Sequence, residues 1–410
     1  MANNKEKKVL NVPNSTDRGN VIRNVPALRF PEFSGEWEKS KLSNFSVKIV
    51  KKNKGNTVTN VLCNSANLGL IPQSNYFDRE IANAENTDGY YVIDNGDFVY
   101  NPRKSTAAPF GPVNIYEGKE AGIISPLYLC FSVHNIFPKF LYYRFKSSVW
   151  HPYVYSHGDS GVRFDRVSIK DDVFFDMPLY KPTQDEEIKI ATLLQIIDER
   201  ITTQNKIIED LKKLKSAIIE MEYGNMAKSI SYIGDFIEQT SKRNKDCAIL
   251  NVLSVSNSQG FIQQSEQFEN RIVASDDTSN YKIVARNDFA FNPARINVGS
   301  IARLTTFERG IVSPMYICFR TKDNLLPEYL DYYFESKRFF AEIQKRLEGS
   351  VRQCLSFEGL CNIPLCIPTV EVQQQIGKRL STLAKEIKLE IDFLELLQRQ
   401  KRFLLHQMFI

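Results

Sequence analysis

Two long stretches of the chain carry apolar residues at the spacing of a helical seam. They begin after Pro182 and Pro368, and the first has no further Gly or Pro until Gly224. Alternate steps of four and three residues select nine positions in each stretch, of which seven are apolar. Such heptad spacing is typical of a coiled coil. The apolar seam positions are Ile190, Leu194, Ile197, Ile201, Ile208, Leu211 and Ile218 in the first stretch, and Ile376, Leu380, Leu383, Ile387, Leu394, Leu397 and Leu404 in the second.

The polar interruptions of the two seams coincide. Gln204 occupies the place of Glu390, and Lys215 that of Lys401, at a constant offset of 186 residues. We expect helices over residues 184–223 and 369–410 that pair antiparallel, with Thr183 and Thr369 as N-caps. The alternative is two amphipathic helices, each packed on its own domain.

The remainder of the chain contains an internal repeat. At an offset of 191, "DFVYNP" at 97–102 matches "DFAFNP" at 288–293. "ISPLYLCF" at 124–131 matches "VSPMYICF" at 312–319 at an offset of 188, and Tyr142 and Tyr143 match Tyr332 and Tyr333 at 190. Short runs of Val, Ile, Phe and Tyr between Gly, Pro and Asn predict strands and turns, with a helix around the paired tyrosines.

The pattern therefore predicts an α+β protein: two similar mixed α/β domains related by a pseudo-two-fold and separated by an antiparallel pair of long helices. We place the domains at 25–183 and 224–368, after a tail at 1–24 that we expect to be disordered. If the helices pair antiparallel, the seam from 190 to 218 is about 42 Å long, close to one turn of B-DNA.

Composition narrows the class of protein. The chain is 42% hydrophobic and 25% charged, which is typical of a globular protein. It has no apolar run long enough for a bilayer span and no signal peptide, so we expect a cytoplasmic protein that does not associate with a membrane. The seven cysteines include no CxxC pair, which favours reduced thiols and no metal site, with Cys130 and Cys318 buried as small hydrophobes.

Net charge alone is weak evidence for a polyanionic partner. Of the formal charge of +5, the first 24 residues contribute five basic and two acidic residues, or +3. Only +2 remains for the body of the chain. A nucleic-acid surface must therefore come from local clustering of basic residues.

Several stretches together resemble the specificity subunit of Type I restriction-modification enzymes. They are "VPALRFPEFSGEWEKSKLSNF" at 25–45, "GDFVYNP", "ISPLYLCF", the stretch at 349–380 and "LELLQRQKRFLLHQMF" near the end. The resemblance covers nearly everything after residue 24. It implies two target-recognition domains that each read half of a bipartite DNA sequence, with two long helices that set the gap. It also implies two modification (methyltransferase, M) subunits as partners, and two restriction (R) subunits in the full nuclease.

Catalytic motifs are missing from the sequence. Asn101-Pro102 and Asn292-Pro293 begin the Asn-Pro-Pro-Tyr pattern of amino-methyltransferases but do not complete it, and no Gly-rich or Walker motif is present. We therefore expect a non-catalytic chain that binds no cofactor, with S-adenosylmethionine, ATP and Mg²⁺ on the partner subunits. Asp176, Glu187 and Lys189 could suggest a nuclease, but a solvated helix face explains the last two better.

Base reading needs polar side chains on loops that enter a groove. Three clusters in matched places favour one DNA-binding surface in each half. We assign Arg163 and Arg352 to phosphate contact, and Arg103 and Arg295, in the loops that differ most, to base contact. The candidates are Lys51, Lys52, Lys54, Asn101, Arg103, Lys104, Ser105, His157, Ser160 and Arg163 in the first half, and Lys242, Arg243, Lys245, Asn292, Arg295, Asn297, Ser300, Arg346, Ser350 and Arg352 in the second.

A second hypothesis remains open. The paired helices could be a protein-assembly stalk, and the globular domains could bind proteins rather than DNA. That scaffold interpretation gains if the three clusters of each half point to different faces.

Overall fold

The computed structural model describes residues 24–75, 87–158, 165–224, 231–257, 259–264, 277–349 and 353–410. The chain divides into two compact units, Met1–Thr203 with Leu394–Ile410, and Gln204–Phe393. Each long helix contributes one portion to each unit.

The first unit is built on two antiparallel arrangements of strands. One is a four-stranded sheet in the order β2-β9-β6-β7. The other joins the hairpin β3-β4 to the pair β5-β8 through a parallel bridge between Val61 and Ile123. A separate ribbon pairs β1 with β10. The strands are β1 Glu38–Lys41, β2 Ser46–Lys48, β3 Leu62–Ser65, β4 Gly69–Pro72, β5 Tyr91–Ile93, β6 Phe98–Tyr100, β7 Val113–Ile115, β8 Gly122–Ile124, β9 Leu129–Val133 and β10 Pro178–Lys181.

The second unit repeats the topology of strands β2 to β9, and the β1-β10 ribbon has no counterpart among its described strands. Its sheets have the orders β11-β18-β15-β16 and β13-β12-β17-β14, with β12 and β17 parallel. The mixed α+β fold expected from the repeat is confirmed. The strands are β11 Ile237–Thr240, β12 Val252–Ser256, β13 Gly260–Gln263, β14 Lys282–Ala285, β15 Phe289–Phe291, β16 Ile301–Arg303, β17 Arg309–Val312 and β18 Ile317–Thr321.

Matched aromatic pairs form the centre of each core. Phe98 stacks on Phe131 with ring centroids 5.3 Å apart, and Phe289 stacks on Phe319 at 5.1 Å. These rings lie at the repeat positions of the "DFVYNP" and "ISPLYLCF" motifs. Cys130 and Cys318, next to them on β9 and β18, are buried as expected.

Short helices follow the last strand of each sheet. The helices around the paired tyrosines, α1 and α6, begin with a proline after an apolar N-cap, Phe137 or Leu326. The helices are α1 Pro138–Lys146, α2 His151–His157, α3 Asp171–Phe175, α4 Gln184–Gly224, α5 Ile233–Phe236, α6 Pro327–Tyr333, α7 Lys337–Gln344, α8 Phe357–Cys361 and α9 Val370–Gln407.

The register of the tyrosine helices differs from the sequence alignment by one residue. The backbone N–H of Phe137 donates to Glu187 Oε2 at 2.7 Å, and that of Leu326 donates to Gln373 Oε1 at 2.8 Å. These N-caps are 189 residues apart, so Tyr143 corresponds to Tyr332. The sequence alignment at an offset of 190, which pairs Tyr142 with Tyr332 and Tyr143 with Tyr333, is therefore wrong by one residue.

Glu187 also corrects the expectation of a solvated helix face. Its side chain is buried, and Lys181 Nζ lies 2.9 Å from its Oε1. Burial raises the pKa of this carboxyl, and the bonds from Phe137 and Lys181 oppose that rise. Glu187 is thus a structural acceptor for the start of α1, whereas Lys189 is exposed.

Within the second unit, the portions of the long helices α4 and α9 run antiparallel, since Gln204 contacts Glu390 and Glu222 contacts Arg379. Within the first unit, Asp198 of α4 forms an ion pair with Lys401 near the end of α9. Within the second unit, Glu222 near the end of α4 lies 2.8 Å from Arg379 near the start of α9. The N–H of Glu186 contacts Thr183 Oγ1 at 3.4 Å, so Thr183 acts as the N-cap of α4.

The predicted seam positions lie inside these helices. Ile190, Leu194, Ile197, Ile208, Ile376, Leu380, Ile387, Leu397 and Leu404 are buried, and Ile201, Leu211, Ile218, Leu383 and Leu394 are half-buried. Gln204 Nε2 donates to the backbone oxygen of Glu390 at 3.1 Å and to its carboxylate. Lys215 pairs with Glu335 of the second unit at 2.7 Å.

Within the first unit, the segment before β1 forms hydrogen bonds with both long helices. The Leu28 N–H donates to the Gln407 carbonyl at 2.9 Å. Glu186 is buried and accepts two bonds from Arg29, each 2.7 Å, and one from the Trp37 indole at 3.3 Å. A buried carboxylate is tolerated only with such partners. This explains why "RFPEFSGEW" needs its arginine and tryptophan.

A buried polar network in the first unit gives a pH prediction. Lys146 Nζ donates to Asn114 Oδ1 at 2.5 Å, and Asn114 donates to Asn64 Oδ1 at 2.5 Å. Burial, with a contribution from Lys401, lowers the pKa of Lys146 to about 8. In the unfolded chain, Lys146 keeps its proton up to about pH 10.4. Between about pH 8 and 10 the unfolded state therefore binds more protons than the folded state, and the free energy of unfolding should rise with pH.

Urea titrations of the wild type and of Lys146→Met at each pH would measure this effect. The difference between the two chains should change with a slope below about 1.4 kcal/mol per pH unit, the limit for one proton. Parallel curves for the two chains would contradict it.

Among the described residues, no helix is long and apolar enough to cross a membrane.

Candidate nucleic-acid interface

Two adjoining cavities in the first unit are lined by four of its ten candidate residues, Asn101, Arg103, Lys104 and Ser105. Each has a volume of about 460 Å³. Pro102, Leu127, Tyr128 and Arg166 line both of them. The further lining residues include Asn101, Arg103, Lys104, Ser105 and Tyr90 on one side, and Lys48, Tyr91 and Asp171 on the other.

The loop after β6 is held by local hydrogen bonds. Asn101 Oδ1 accepts the N–H of Arg103 at 3.0 Å, an Asx-type turn. The N–H of Ser105 donates to the Ala108 carbonyl at 3.0 Å and closes a tight loop. Asn101 is thus partly used by its own loop. Arg103, Lys104 and Ser105 are exposed.

The cluster at 51–54 lies beside the same cavities. Lys52 Nζ lies 3.5 Å from the centre of the Tyr91 ring and donates to the Gly89 carbonyl at 2.8 Å. Lys51 and Lys54 are exposed. Asn53 is buried, and its side chain both donates to the Val58 carbonyl and accepts the Val58 N–H, so it shapes the loop.

The third cluster of the first unit is only partly described. His157, at the end of α2, is exposed and stacks on Tyr153 at 4.1 Å. A Cβ at the following Gly158 would lie 3.3 Å from Val167, which places this end of α2 beside the residue after Arg166. Ser160 and Arg163 lie outside the described residues. The described parts of the three clusters therefore lie beside one another, as a single binding surface requires.

The second unit presents an equivalent cluster at 242–245, in which Arg243 takes the place of Lys52. Arg243 faces Lys282 across an antiparallel bridge and donates to Asn280 at 2.9 Å. Lys242 and Lys245 are exposed. Asn244 is buried. Its side chain donates to the Ile249 carbonyl and accepts the Ile249 N–H, as Asn53 does with Val58. Lys282 Nζ reaches the Tyr316 carbonyl at 2.6 Å, which connects this cluster to the loop that follows "VSPM".

The loop after β15 begins like its counterpart and then departs from it. Asn292 Oδ1 accepts the N–H of Ala294 at 3.1 Å, the same turn as at Asn101. A short 3₁₀ helix over Ile296–Val298 follows instead of the tight loop. Arg295 is exposed and Asn297 half-buried.

One predicted contact in the second unit is corrected, and another residue has a partner within the chain. Ser300 is buried, and its hydroxyl donates to the Val255 carbonyl at 3.3 Å, so it cannot reach a duplex in this conformation. Arg346 is half-buried, and its Nη1 donates to the Glu342 carboxylate at 2.5 Å; its contact with DNA stays a prediction. Ser350 and Arg352 lie outside the described residues.

Three residues that line these two cavities were not among the candidates predicted from the sequence. Arg166 comes from the segment before α3, Tyr128 from the loop before β9, and Lys48 from the end of β2. Only the fold brings them together with residues 101–105, and none belongs to a basic run. Lys48 donates to Asp171 at 2.5 Å, a bond that raises the pKa of the lysine.

The side chains that line these cavities are suited to ligand binding rather than to catalysis. Arg and Lys head groups, phenol hydroxyls and amides line the cleft, the side chains that recognise phosphates and base edges. In the described ranges, no three His, Cys, Asp or Glu side chains form a group that could hold a metal ion.

Known proteins share this fold. Residues 227–399 match the family model described as "Type I restriction modification DNA specificity domain". The S subunit of a Type I restriction-modification system from M. genitalium has a TM-score of 0.57 at 14% identity, covering 94% of this chain and 99% of that one. A chain from a study of complex assembly and conformational transition of the type I R-M system has a TM-score of 0.56 at 12% identity, covering 91% and 97%.

Residues 227–399 are thus similar to a type I restriction-modification DNA specificity domain, and the first unit has a sheet topology like that of the second. The likeness to the two solved structures extends the shared fold over more than nine-tenths of the chain.

Proposed function

We propose that this chain is the DNA-recognition subunit of a type I complex and that each unit reads one half of a bipartite double-stranded target. The observation that carries the proposal is a pair of units with one strand topology and different polar loops after β6 and β15. A shared frame with different loop side chains is what reading two different half-sites requires.

The adjoining position of the polar clusters supports DNA reading over the scaffold hypothesis. In the first unit, Lys52 contacts Tyr91, which lines a cavity together with Arg166, and residues 101–105 line the next cavity. A protein-binding domain would have no need to place these basic clusters side by side. A duplex presents phosphates on both sides of each groove and can contact all of them at once.

In this proposal the long helices have two roles. Their length would set the gap between the half-sites, since α4 alone has 41 residues and is about 60 Å long. Their outer faces would dock two methyltransferase subunits, to which two restriction subunits add in the full nuclease. The chain supplies recognition. The partners supply the chemistry and carry S-adenosylmethionine, ATP and Mg²⁺.

Exposed apolar side chains on both helices support the docking role. On α9, Leu389, Phe393, Leu396 and Phe403 follow the spacing of a single helical face, and each is exposed. On α4, Ile207, Leu214 and Met221 do the same at intervals of seven. Apolar strips of this kind mark interaction sites more often than isolated exposed residues do.

The test is to purify the chain with its methyltransferase subunit and to map adenine methylation on genomic DNA. We expect one bipartite motif with a fixed gap. Exchanging residues 101–105 for 292–296 should change one half of the motif and leave the other half as an internal control. A tight complex that methylates no motif would instead support the scaffold hypothesis.

A further inference from the structure

Two arginines lie on neighbouring, hydrogen-bonded segments at the wall of the cavities of the first unit. Arg103 and Arg166 form an antiparallel bridge, fixed by hydrogen bonds from the Lys104 N–H to the Asp165 carbonyl and from the Val167 N–H to the Pro102 carbonyl, each 2.8 Å. Residues directly opposite in an antiparallel pair project to the same face. Two guanidinium groups are therefore held side by side at the cavity wall.

Folding alone does not account for this arrangement. Like charges directly opposite each other destabilise a strand pair. Asp165 Oδ2 lies 3.9 Å from Arg103 Nε, and both side chains are exposed, so this ion pair compensates little. The Nε atom of Arg166 is buried and has no hydrogen-bond partner in the described part of the chain. The exposed Arg103 retains donors for a ligand, and no hydrogen bond to the described part of the chain holds the Nε atom of the half-buried Arg166.

The Tyr128 ring, in the wall of both cavities, lies near both guanidinium groups. Burial raises the pKa of the Tyr128 hydroxyl, with a smaller contribution from Cys63, and Arg103 and Arg166 oppose that rise. Both guanidinium groups thus lie near one phenol ring. The cavity of about 460 Å³ between them also contains Asn64 and Ser125.

The second unit lacks the pair. Its loop has the same turn, in which Ala294 takes the place of Arg103. The Leu355 N–H donates to the Pro293 carbonyl at 3.0 Å, as Val167 does to Pro102, so Cys354 takes the place of Arg166. The phosphate backbone is alike at both half-sites, so a phosphate contact would be useful in both units. A difference confined to one unit points to a base.

We propose that Arg103 and Arg166 read guanine in the half-site bound by the first unit, and that the second unit makes no equivalent guanine contact from Ala294 or Cys354. Guanine presents O6 and N7 as two adjacent acceptors in the major groove, which an arginine fork matches in a bidentate way. This inference rests on the proposed function and specifies its substrate.

The experiment uses the chain in complex with its methyltransferase subunit. The exchange of residues 101–105 first establishes which half of the motif the first unit reads. Duplexes in which each guanine of that half is replaced by 7-deazaguanine, which lacks the N7 acceptor, are then methylated by the wild type. We expect one position, or two adjacent positions, to slow methylation about tenfold or more, in line with about 1–3 kcal/mol for a bidentate contact.

Arg166→Ala and Arg103→Ala should accept other base pairs at that same position about ten-fold more readily, and 7-deazaguanine should no longer matter there. The other half of the motif should stay unchanged in both variants. The wild-type scan needs no variant, so the inference remains testable even if a variant folds poorly.

Two outcomes would overturn the inference while leaving the proposed function intact. One is a bipartite motif whose first-unit half contains no guanine, or none sensitive to 7-deazaguanine. The other is a variant that weakens binding equally on all sequences and lowers the salt dependence, which indicates phosphate contact. The absence of any motif from a stable complex would instead remove the proposed function itself.

Discussion

Replacing Leu389 and Leu396 together by glutamate is expected to abolish methylation by the assembled complex while the chain stays folded. Their side chains are 63% and 59% exposed, so neither contributes much to the core. In a docked interface each leucine would contribute about 1.5–3 kcal/mol through burial. A glutamate buried there without a partner would add a further cost of several kcal/mol. The association constant should fall more than a hundredfold.

The measurement is co-purification of the variant with the methyltransferase subunit, followed by methylation of a duplex that contains the motif. Gln398→Glu is the matched control for Leu396→Glu, since it places the same charge two residues away on another, exposed face of α9. Normal assembly by the double glutamate variant, or equal loss in the Gln398 control, would show that the apolar strip is not the docking surface.

Glu186→Ala is expected to destabilise the first unit by about 3–5 kcal/mol, the usual cost of breaking a buried ion pair by removing one partner. The Glu186 side chain is fully buried, and that of Arg29 is only 13% exposed. Without the carboxylate, the Arg29 guanidinium loses its counter-charge, and the Trp37 indole loses its acceptor. The segment before β1 should then separate from the start of α4.

Thermal and urea unfolding of the two chains would measure this loss. Asp185→Ala is the control, because Asp185 lies in the same first turn of α4 and is exposed. Adding Arg29→Met should recover part of the stability, since it removes the unpaired charge. An effect of Glu186→Ala no larger than that of the control would contradict the assignment.

Much of the fold follows from local patterns. The heptad spacing located both long helices, because one face of each had to be buried over many turns. The repeat located matched strands, since the Phe98 and Phe289 motifs have the same neighbours in both units. The one-residue error at the tyrosine helices has a physical cause. The register between α1 and α6 is set by the N-caps Phe137 and Leu326, whose N–H groups donate to side chains on the long helices. A sequence alignment does not contain those contacts.

The candidate site was less accessible from sequence. The loop at 101–105 was recognisable because basic and polar residues adjoin one another in the chain. Arg166 was not, because its importance comes from a bridge to Arg103 across 63 positions of sequence. Burial also changed several assignments. Ser300 and Glu187 are polar residues of ordinary surface type, and only the tertiary packing turns them into internal partners.

The buried amides Asn53 and Asn244 have an evolutionary consequence. Each fixes its loop by donating to and accepting from one backbone residue, Val58 or Ile249, so the loop's shape does not depend on the neighbouring exposed side chains. Lys51, Lys54 and their counterparts can therefore change with little effect on folding. For a protein that selects DNA sequences, new preferences could then arise by single mutations, and a lineage could diversify its targets faster than its architecture.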